Sequence, residues 1–173
     1  MNSNRIFLLI GGFLIYLIIQ VVLLKNMVVF GFAFCFLYVL YILLLPLEMK
    51  TVPVMLIAFG LGLGVDVFYD TLGLHTASLV ALAFLRNFWL KILTPTGGYD
   101  ENLQPSILNM GFGWFTYYSL PLIILHHTLF FYIENIGTNL FFPVVQKIIA
   151  SIIFVYVMSI IVQLMFYRRR RGL

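Results

Sequence analysis

The sequence predicts an all-α integral membrane protein that folds as a compact bundle of six transmembrane helices. Of its 173 residues, 63% are hydrophobic and only 9% are charged, whereas a soluble domain carries about 25% charged residues. Apolar windows of about 20 residues, the length that crosses a bilayer as a helix, recur along the whole chain. No polar stretch is long enough to fold separately, so residues 1–173 are expected to form a single polytopic membrane domain.

The six spans follow from the apolar windows and the polar residues between them. The first ends at Lys25 and Asn26, and no small-residue cleavage site follows it, so it is expected to be an uncleaved helix. The third is entered through a polar segment at 48–51, and the turn 71–73 separates it from the fourth. The longest connection, 94–106, precedes the fifth. The predicted spans are 6–24, 28–47, 52–69, 74–93, 112–133 and 143–167, and a five-span count with a broken fourth helix is the alternative.

The basic residues predict the orientation. Arg5 and the run Arg168–Arg171 lie at the two ends of the chain, which share a side if the number of spans is even. Lys50, Arg86 and Lys91 fall on that same side, against only Lys25 and Lys147 on the other. The positive-inside rule therefore predicts a multi-pass protein with both termini in the cytoplasm. Beside an apolar span, the arginine run indicates anchoring to anionic membrane lipid rather than nucleic-acid binding, and Arg86 is expected to extend to the cytoplasmic headgroups.

The stretch GLGLGVDVFYDTLGLHT, Gly60–Thr76, places carboxylates and glycines in the third span. Gly62, Asp66 and Asp70 fall on one helical stripe, whereas Gly60 and Gly64 form a G-x-x-x-G pair on nearly the opposite face. This pair predicts a close approach by another helix, either from the same chain or from a partner protein.

Several spans are predicted to contribute polar groups to one layer near the exterior. An aspartate inside a membrane costs at least about 2.5 kcal/mol, so Asp66 should face protein or water. The spacing places it at the depth of Gln20 and of His126, either of which could donate to its carboxylate. The layer would contain Gln20, Asp66, Asp70, His75, His126 and His127, with Lys147 at its edge. Three roles are open for it: a structural hydrogen-bond cluster, a small-molecule pocket, or a docking surface.

The sequence contains no motif typical of an enzyme or of a cofactor site. It has no G-x-S-x-G, no H-E-x-x-H and no phosphate-binding loop. His126 and His127 are adjacent and point about 100° apart on a helix, so a shared metal ion is not expected. Cys35 is the single cysteine, which predicts a buried thiol rather than a disulfide.

The stretch Gly60–Thr76 resembles the rod shape-determining protein MreD family. A small-residue helix, a carboxylate, a short turn and Leu-Gly-Leu-His at the start of the next helix carry the likeness, and Asp66, Gly73, Leu74 and His75 are the positions that match. The chain length, the six spans and the basic tail also fit.

This resemblance implies a non-enzymatic component of the bacterial cell-elongation machinery in the cytoplasmic membrane. Its implied partners are the periplasmic scaffold protein MreC, a RodA-type glycosyltransferase, a class B penicillin-binding protein and an MreB-like filament. The implied fold is similar to the substrate-binding subunits of energy-coupling-factor transporters, so a vitamin-binding or small-molecule-binding transporter subunit is the alternative function. Those subunits usually have Ala-x-x-x-Ala in the first helix, where this chain has only Gly11 and Gly12.

Overall fold

The computed structural model describes residues 3–99, 103–138 and 140–166, and these residues are mostly helical. The elements are α1 Ser3–Ile18, which continues as a π-helix at Ile19–Leu24, strands β1 Val28–Val29 and β2 Ala33–Phe34, and helices α2 Tyr38–Leu43, α3 Thr51–Tyr69, α4 Leu74–Leu93, α5 Ile107–Met110, α6 Phe112–Glu134 and α7 Phe141–Phe166. Arg168–Arg171 and the last residue of the sixth predicted span lie outside the described residues.

Four helical segments of the described chain are long and apolar enough to cross a membrane: Ile6–Leu24, Thr51–Tyr69, Leu74–Leu93 and Phe141–Phe166. They coincide, to within a few residues, with the predicted spans 6–24, 52–69, 74–93 and 143–167. The fifth predicted span coincides with α6, which has 23 residues but is not apolar enough to join these four. A mostly helical protein with several potential membrane spans is therefore confirmed, and six helical spans are not.

The prediction of one helix over residues 28–47 is wrong. The segment begins as a hairpin in which Val28 pairs with Phe34, and Phe30 and Gly31 at its tip have positive φ angles of 54° and 80°. The only helix within residues 28–47 is α2, which has six residues. Residues 35–45 are nevertheless at most 6% exposed. The segment is apolar because it fills the interior of the bundle, where irregular backbone is tolerated even at membrane depth.

Residues 26–50 connect the two ends of the bundle, which we call the Asp66 end and the Arg86 end. At the Asp66 end, Lys25 Nζ donates to the carbonyl of Phe68 at 2.5 Å. At the Arg86 end, the side-chain amide of Asn87 donates to Thr51 Oγ1 at 3.1 Å. The first contact places the start of this segment beside the C-terminal end of α3. The second places its end, where α3 begins, beside the C-terminal part of α4. Residues 26–50 therefore pass through the interior from the Asp66 end to the Arg86 end.

The closest helix approach involves Gly62 rather than the predicted pair. Helix α3 packs most extensively against α4, and a Cβ atom added to Gly62 would lie 2.5 Å from Cα of Thr76. Gly60 and Gly64 instead face α1 of the same chain, where an added Cβ would lie 3.8 Å from the Phe13 ring and 3.1 Å from Leu17 respectively. The close backbone contact is therefore on the same stripe as Asp66.

Helix α7 turns a narrow polar stripe toward the interior. Its buried residues are Ser151, Val155, Ser159 and Gln163, each four positions from the next. Ser151 Oγ accepts a hydrogen bond from the backbone N–H of Phe34 at 2.9 Å, and Gln163 Oε1 accepts one from Ile107 at 2.8 Å. The stripe thus satisfies backbone groups of the irregular segments, as a lipid environment requires.

Candidate functional site: a buried polar layer

Asp66 binds the first turn of α4. Its carboxylate accepts hydrogen bonds from the backbone N–H groups of His75 at 3.0 Å and Thr76 at 2.8 Å. It also accepts from the hydroxyls of Thr71 at 2.6 Å and Thr76 at 2.5 Å. The residue that precedes α4, Gly73, has no side chain with which to cap the helix. Asp66 therefore supplies both the acceptor and the negative charge that a helix N-terminus favours.

These contacts correct the predicted partners of Asp66. Its acceptor atoms are occupied by Thr71, His75 and Thr76 rather than by His126 or Gln20. Asp70 is exposed and caps the C-terminus of α3 in the left-handed conformation, with φ 55°. The structure therefore places Asp70 outside the buried layer.

Gln20 holds the irregular backbone that precedes α2. It lies fully buried in the π-helical segment, a rare helical geometry. Its amide nitrogen donates to the carbonyl of Cys35 at 3.0 Å and to the hydroxyl of Tyr69 at 2.8 Å. Its amide oxygen accepts from the backbone N–H of Tyr38 at 3.3 Å. Cys35 is 1% exposed, as predicted for a buried thiol.

The hydroxyl of Tyr38 joins three helices. It lies 2.7 Å from Nδ1 of His75 on α4 and 2.9 Å from Nε2 of His126 on α6. All three side chains are fully buried. His127 is also buried, and its Nδ1 lies 2.8 Å from the carbonyl of Ile123 one turn earlier. The structure thus connects Gln20, His75 and His126 through Tyr38, a residue that the sequence did not single out.

Aromatic rings pack against the histidines. The Phe36 ring centroid lies 4.9 Å from that of His75 and 5.5 Å from that of His127. Phe130 approaches His75 to 4.4 Å between centroids. Within the described ranges, no three His, Cys, Asp or Glu side chains are grouped so that they could hold a metal ion. This packing favours the hydrogen-bond cluster among the three roles considered for the layer.

A second polar cluster surrounds Arg86. The prediction that this side chain extends to the cytoplasmic headgroups is wrong. Arg86 is fully buried and does not extend to the membrane surface. Its Nε donates to the hydroxyl of Tyr118 at 2.8 Å, and its Nη2 donates to the carbonyls of Leu45 and Pro46. The Tyr118 hydroxyl donates to Leu43 at 2.8 Å. Arg86 and Tyr118 thus satisfy carbonyls at and beyond the end of α2, which have no helical partners.

Two cavities open at the ends of the bundle, away from the histidines. One, of about 430 Å³, lies between α6 and α7 and is lined by Tyr132, Asn135, Ile136, Gly137, Thr138, Leu140, Phe141 and Val144. The other, of about 330 Å³, lies at the Arg86 end beside Lys50, Asn87 and Lys91.

Asp66, Gly73, Leu74 and His75, the positions on which the predicted MreD resemblance rests, lie together at the junction of α3 and α4. Comparison of the chain with protein families, with curated proteins and with solved structures found no match.

Proposed function

We propose that this chain is a non-enzymatic membrane component of the bacterial cell-elongation machinery. In this role it supports cell shape and lateral peptidoglycan synthesis by binding an MreC-like periplasmic scaffold protein. A RodA-type glycosyltransferase, a class B penicillin-binding protein and an MreB-like filament complete the proposed assembly. The Asp66 end would face the periplasm, and both termini would lie in the cytoplasm.

The observation that carries the proposal is the junction of α3 and α4. Gly62 permits close packing of the two helices, and Asp66 binds the first turn of α4. Asp66 and His75, two of the residues that carry the MreD resemblance, are thus joined by a hydrogen bond across one helical hairpin. A rigid hairpin with its turn outside the membrane suits a scaffold that presents a surface to another protein.

The three connections at the Asp66 end offer the partner an apolar surface. Phe30 at the hairpin tip is 86% exposed, Leu72 between α3 and α4 is 103% exposed, and Ile136 after α6 is 68% exposed. Phe30 and Leu72 hold left-handed backbone, with φ of 54° and 46°, which is costly for residues other than Gly, Asn or Asp. Since Gly60 and Gly64 pack against α1, these tips replace the glycine pair as the proposed contact for the partner.

The alternative function is a substrate-binding subunit of a vitamin or small-molecule transporter. One observation favours it: the cavity of about 430 Å³ between α6 and α7 has the size of a small-molecule site. Among the described residues that line it, the polar groups are neutral, such as those of Asn135 and Thr138. A vitamin that copurifies with the protein and is lost when Tyr132 is replaced by tryptophan would support this alternative.

Co-expression with the MreC-like protein of the same organism tests the proposed function. The two tagged proteins should copurify from mild detergent, and depletion of this chain should convert rod-shaped cells to spheres. Replacing Leu72 with asparagine, which favours left-handed backbone, should preserve folding. Burying a leucine contributes about 1.5–3 kcal/mol, so the variant should weaken binding about 10-fold to 100-fold. Asp70→Asn in the same turn is the matched control. Failure of the two proteins to copurify, or full binding by Leu72→Asn, would contradict the proposed contact.

A further inference from the structure

The three histidines of the chain each have one ring nitrogen directed into the buried interior. These atoms are Nε2 of His75, Nδ1 of His126 and Nε2 of His127, and none has a hydrogen-bond partner within the described part of the chain. All three side chains are 0% exposed. Buried polar atoms are nearly always hydrogen-bonded in folded proteins, to protein or to ordered water.

The hydroxyl of Tyr38 couples the protonation of His75 and His126. It lies within hydrogen-bond distance of both rings, but it has one proton to donate. Away from water the neutral form of each ring is favoured, with one proton on one of its nitrogens. Full hydrogen bonding therefore requires that the hydroxyl donate to one ring and accept from the other.

Two arrangements satisfy this condition. In the first, Tyr38 donates to Nδ1 of His75 and accepts from the Nε2–H of His126, so both rings are protonated at Nε2. In the second, Tyr38 donates to Nε2 of His126 and accepts from the Nδ1–H of His75, so both rings are protonated at Nδ1. Because one ring meets Tyr38 through Nδ1 and the other through Nε2, the two histidines always have the same tautomer.

The outer nitrogens of the two rings exchange roles between these arrangements. In the first, Nε2 of His75 is a donor and Nδ1 of His126 is an acceptor; in the second, the roles are reversed. A partner that serves both arrangements must be able both to donate and to accept, and water is the smallest such molecule.

We propose that Tyr38, His75 and His126 form a two-state hydrogen-bond relay whose two ends bind internal water. Going from the first state to the second, a hydronium ion at the His126 end gives a proton to Nδ1 and becomes water, and the Nε2 proton of His126 passes to the Tyr38 oxygen. The original Tyr38 proton passes to Nδ1 of His75, and the Nε2 proton of His75 passes to the second water, which leaves as hydronium. One proton thus crosses the relay, and no group is oxidised or reduced.

His127 supplies an internal reference for this relay. Its Nδ1 faces the carbonyl of Ile123 at 2.8 Å, and a carbonyl can only accept a hydrogen bond. His127 is therefore protonated at Nδ1 and unprotonated at Nε2 in both states, so its tautomer should not follow those of the other two rings.

Nuclear magnetic resonance of the ¹⁵N-histidine-labelled protein in lipid nanodiscs tests the relay. The nitrogen shifts report which nitrogen of each ring is protonated, and the spectrum contains only three rings. We expect His75 and His126 to have the same tautomer, or the same exchange-averaged populations, and His127 to be protonated at Nδ1. Opposite tautomers for His75 and His126, or a charged ring, would overturn the proposal. Transfer of magnetisation from water to the outer N–H groups is expected, and its absence would overturn the hydration of the relay.

Two matched variants separate the relay from general packing. Tyr38→Phe removes the shared hydroxyl, so the tautomer populations of His75 and His126 should change independently. Tyr41→Phe makes the same change one turn later in α2, where the hydroxyl instead donates to Leu9 at 2.8 Å, and should leave the wild-type tautomers in place. Unchanged tautomers in Tyr38→Phe would show that the hydroxyl does not couple the rings.

Discussion

Asp66 shows how a carboxylate can be buried without a cationic partner among the described residues. It accepts three hydrogen bonds from the first turn of α4 and a fourth from Thr71 in the preceding turn. The N-terminus of a helix carries a partial positive charge, so the helix itself replaces the missing cation. The sequence predicted that Asp66 would face protein or water rather than lipid. It could not identify Thr71 and Thr76 as the donors, because that depends on the path of the turn.

Exchanging the two aspartates for asparagine should separate their roles. Asp66→Asn places an amide group against donors, so the free energy of unfolding should fall by about 1–3 kcal/mol. Asp70→Asn keeps a residue that tolerates the left-handed backbone of this exposed cap, and should leave stability unchanged. Reversible unfolding in mixed micelles measures both changes. Equal stability of the two variants would show that the carboxylate of Asp66 is not needed.

Arg86 should not be replaceable by lysine. The planar guanidinium reaches the Tyr118 hydroxyl and two backbone carbonyls together, which a compact ammonium group cannot do. Arg86→Lys should therefore lower the free energy of unfolding by about 2 kcal/mol. The exposed Lys91 lies on the same helix, and Lys91→Gln serves as the control. A melting temperature for Arg86→Lys equal to that of the control would contradict the proposed role of Arg86 in capping α2.

Among the helical elements, the three glycines of α3 offer a graded test of packing. A Cβ atom added at Gly62 would lie 2.5 Å from the backbone of Thr76, which is a steric clash. At Gly64 it would lie 3.1 Å from the Leu17 side chain, a tight contact. At Gly60 it would lie 3.8 Å from the Phe13 ring, an ordinary van der Waals distance. Gly62→Ala should destabilise the protein by about 1–3 kcal/mol. Gly64→Ala should cost less, and Gly60→Ala should have no measurable cost. Thermal unfolding that gave the reverse order would contradict this packing.

The elements also show what the sequence can and cannot predict. Helices α3, α4, α6 and α7 follow from apolar length and polar boundaries, and their predicted ends are within two residues of those observed. Residues 28–47 have the same apolar composition as a helical span, but residues 35–45 among them lie in the interior of the bundle. Composition alone does not distinguish burial in lipid from burial in protein. The positive φ of Phe30 could not be predicted from the sequence either, because glycine rather than phenylalanine is typical of such a turn.

At the scale of the whole molecule, the orientation of the bundle stays a prediction that labelling can test. The only native cysteine, Cys35, is 1% exposed, so single cysteines can be introduced without removing it. Leu72→Cys at the Asp66 end should react with a membrane-impermeant reagent applied to intact spheroplasts, because the positive-inside rule places that end outside. Lys50→Cys at the other end should react only after lysis, and the unmodified protein controls for Cys35. Labelling of position 50 in intact spheroplasts would reverse the proposed orientation.

The buried segment around α2 also has a consequence for how the protein is made. The carbonyl of Leu45 accepts a hydrogen bond from Arg86, which lies 41 residues later in the chain. The carbonyl of Leu43 accepts one from Tyr118, which lies 75 residues later. At about 5–20 residues per second, a ribosome needs roughly 4–15 s to synthesise those 75 residues. Until α6 emerges, the end of α2 lacks the groups that later satisfy it, and unpaired carbonyls are costly in lipid. Residues 35–45 are therefore expected to stay at the translocon or the membrane surface until α6 has been synthesised, and only then to pack into the bundle. A nascent chain that ends before residue 112 should then leave residues 35–45 accessible to protease, whereas a chain that extends beyond α6 should protect them.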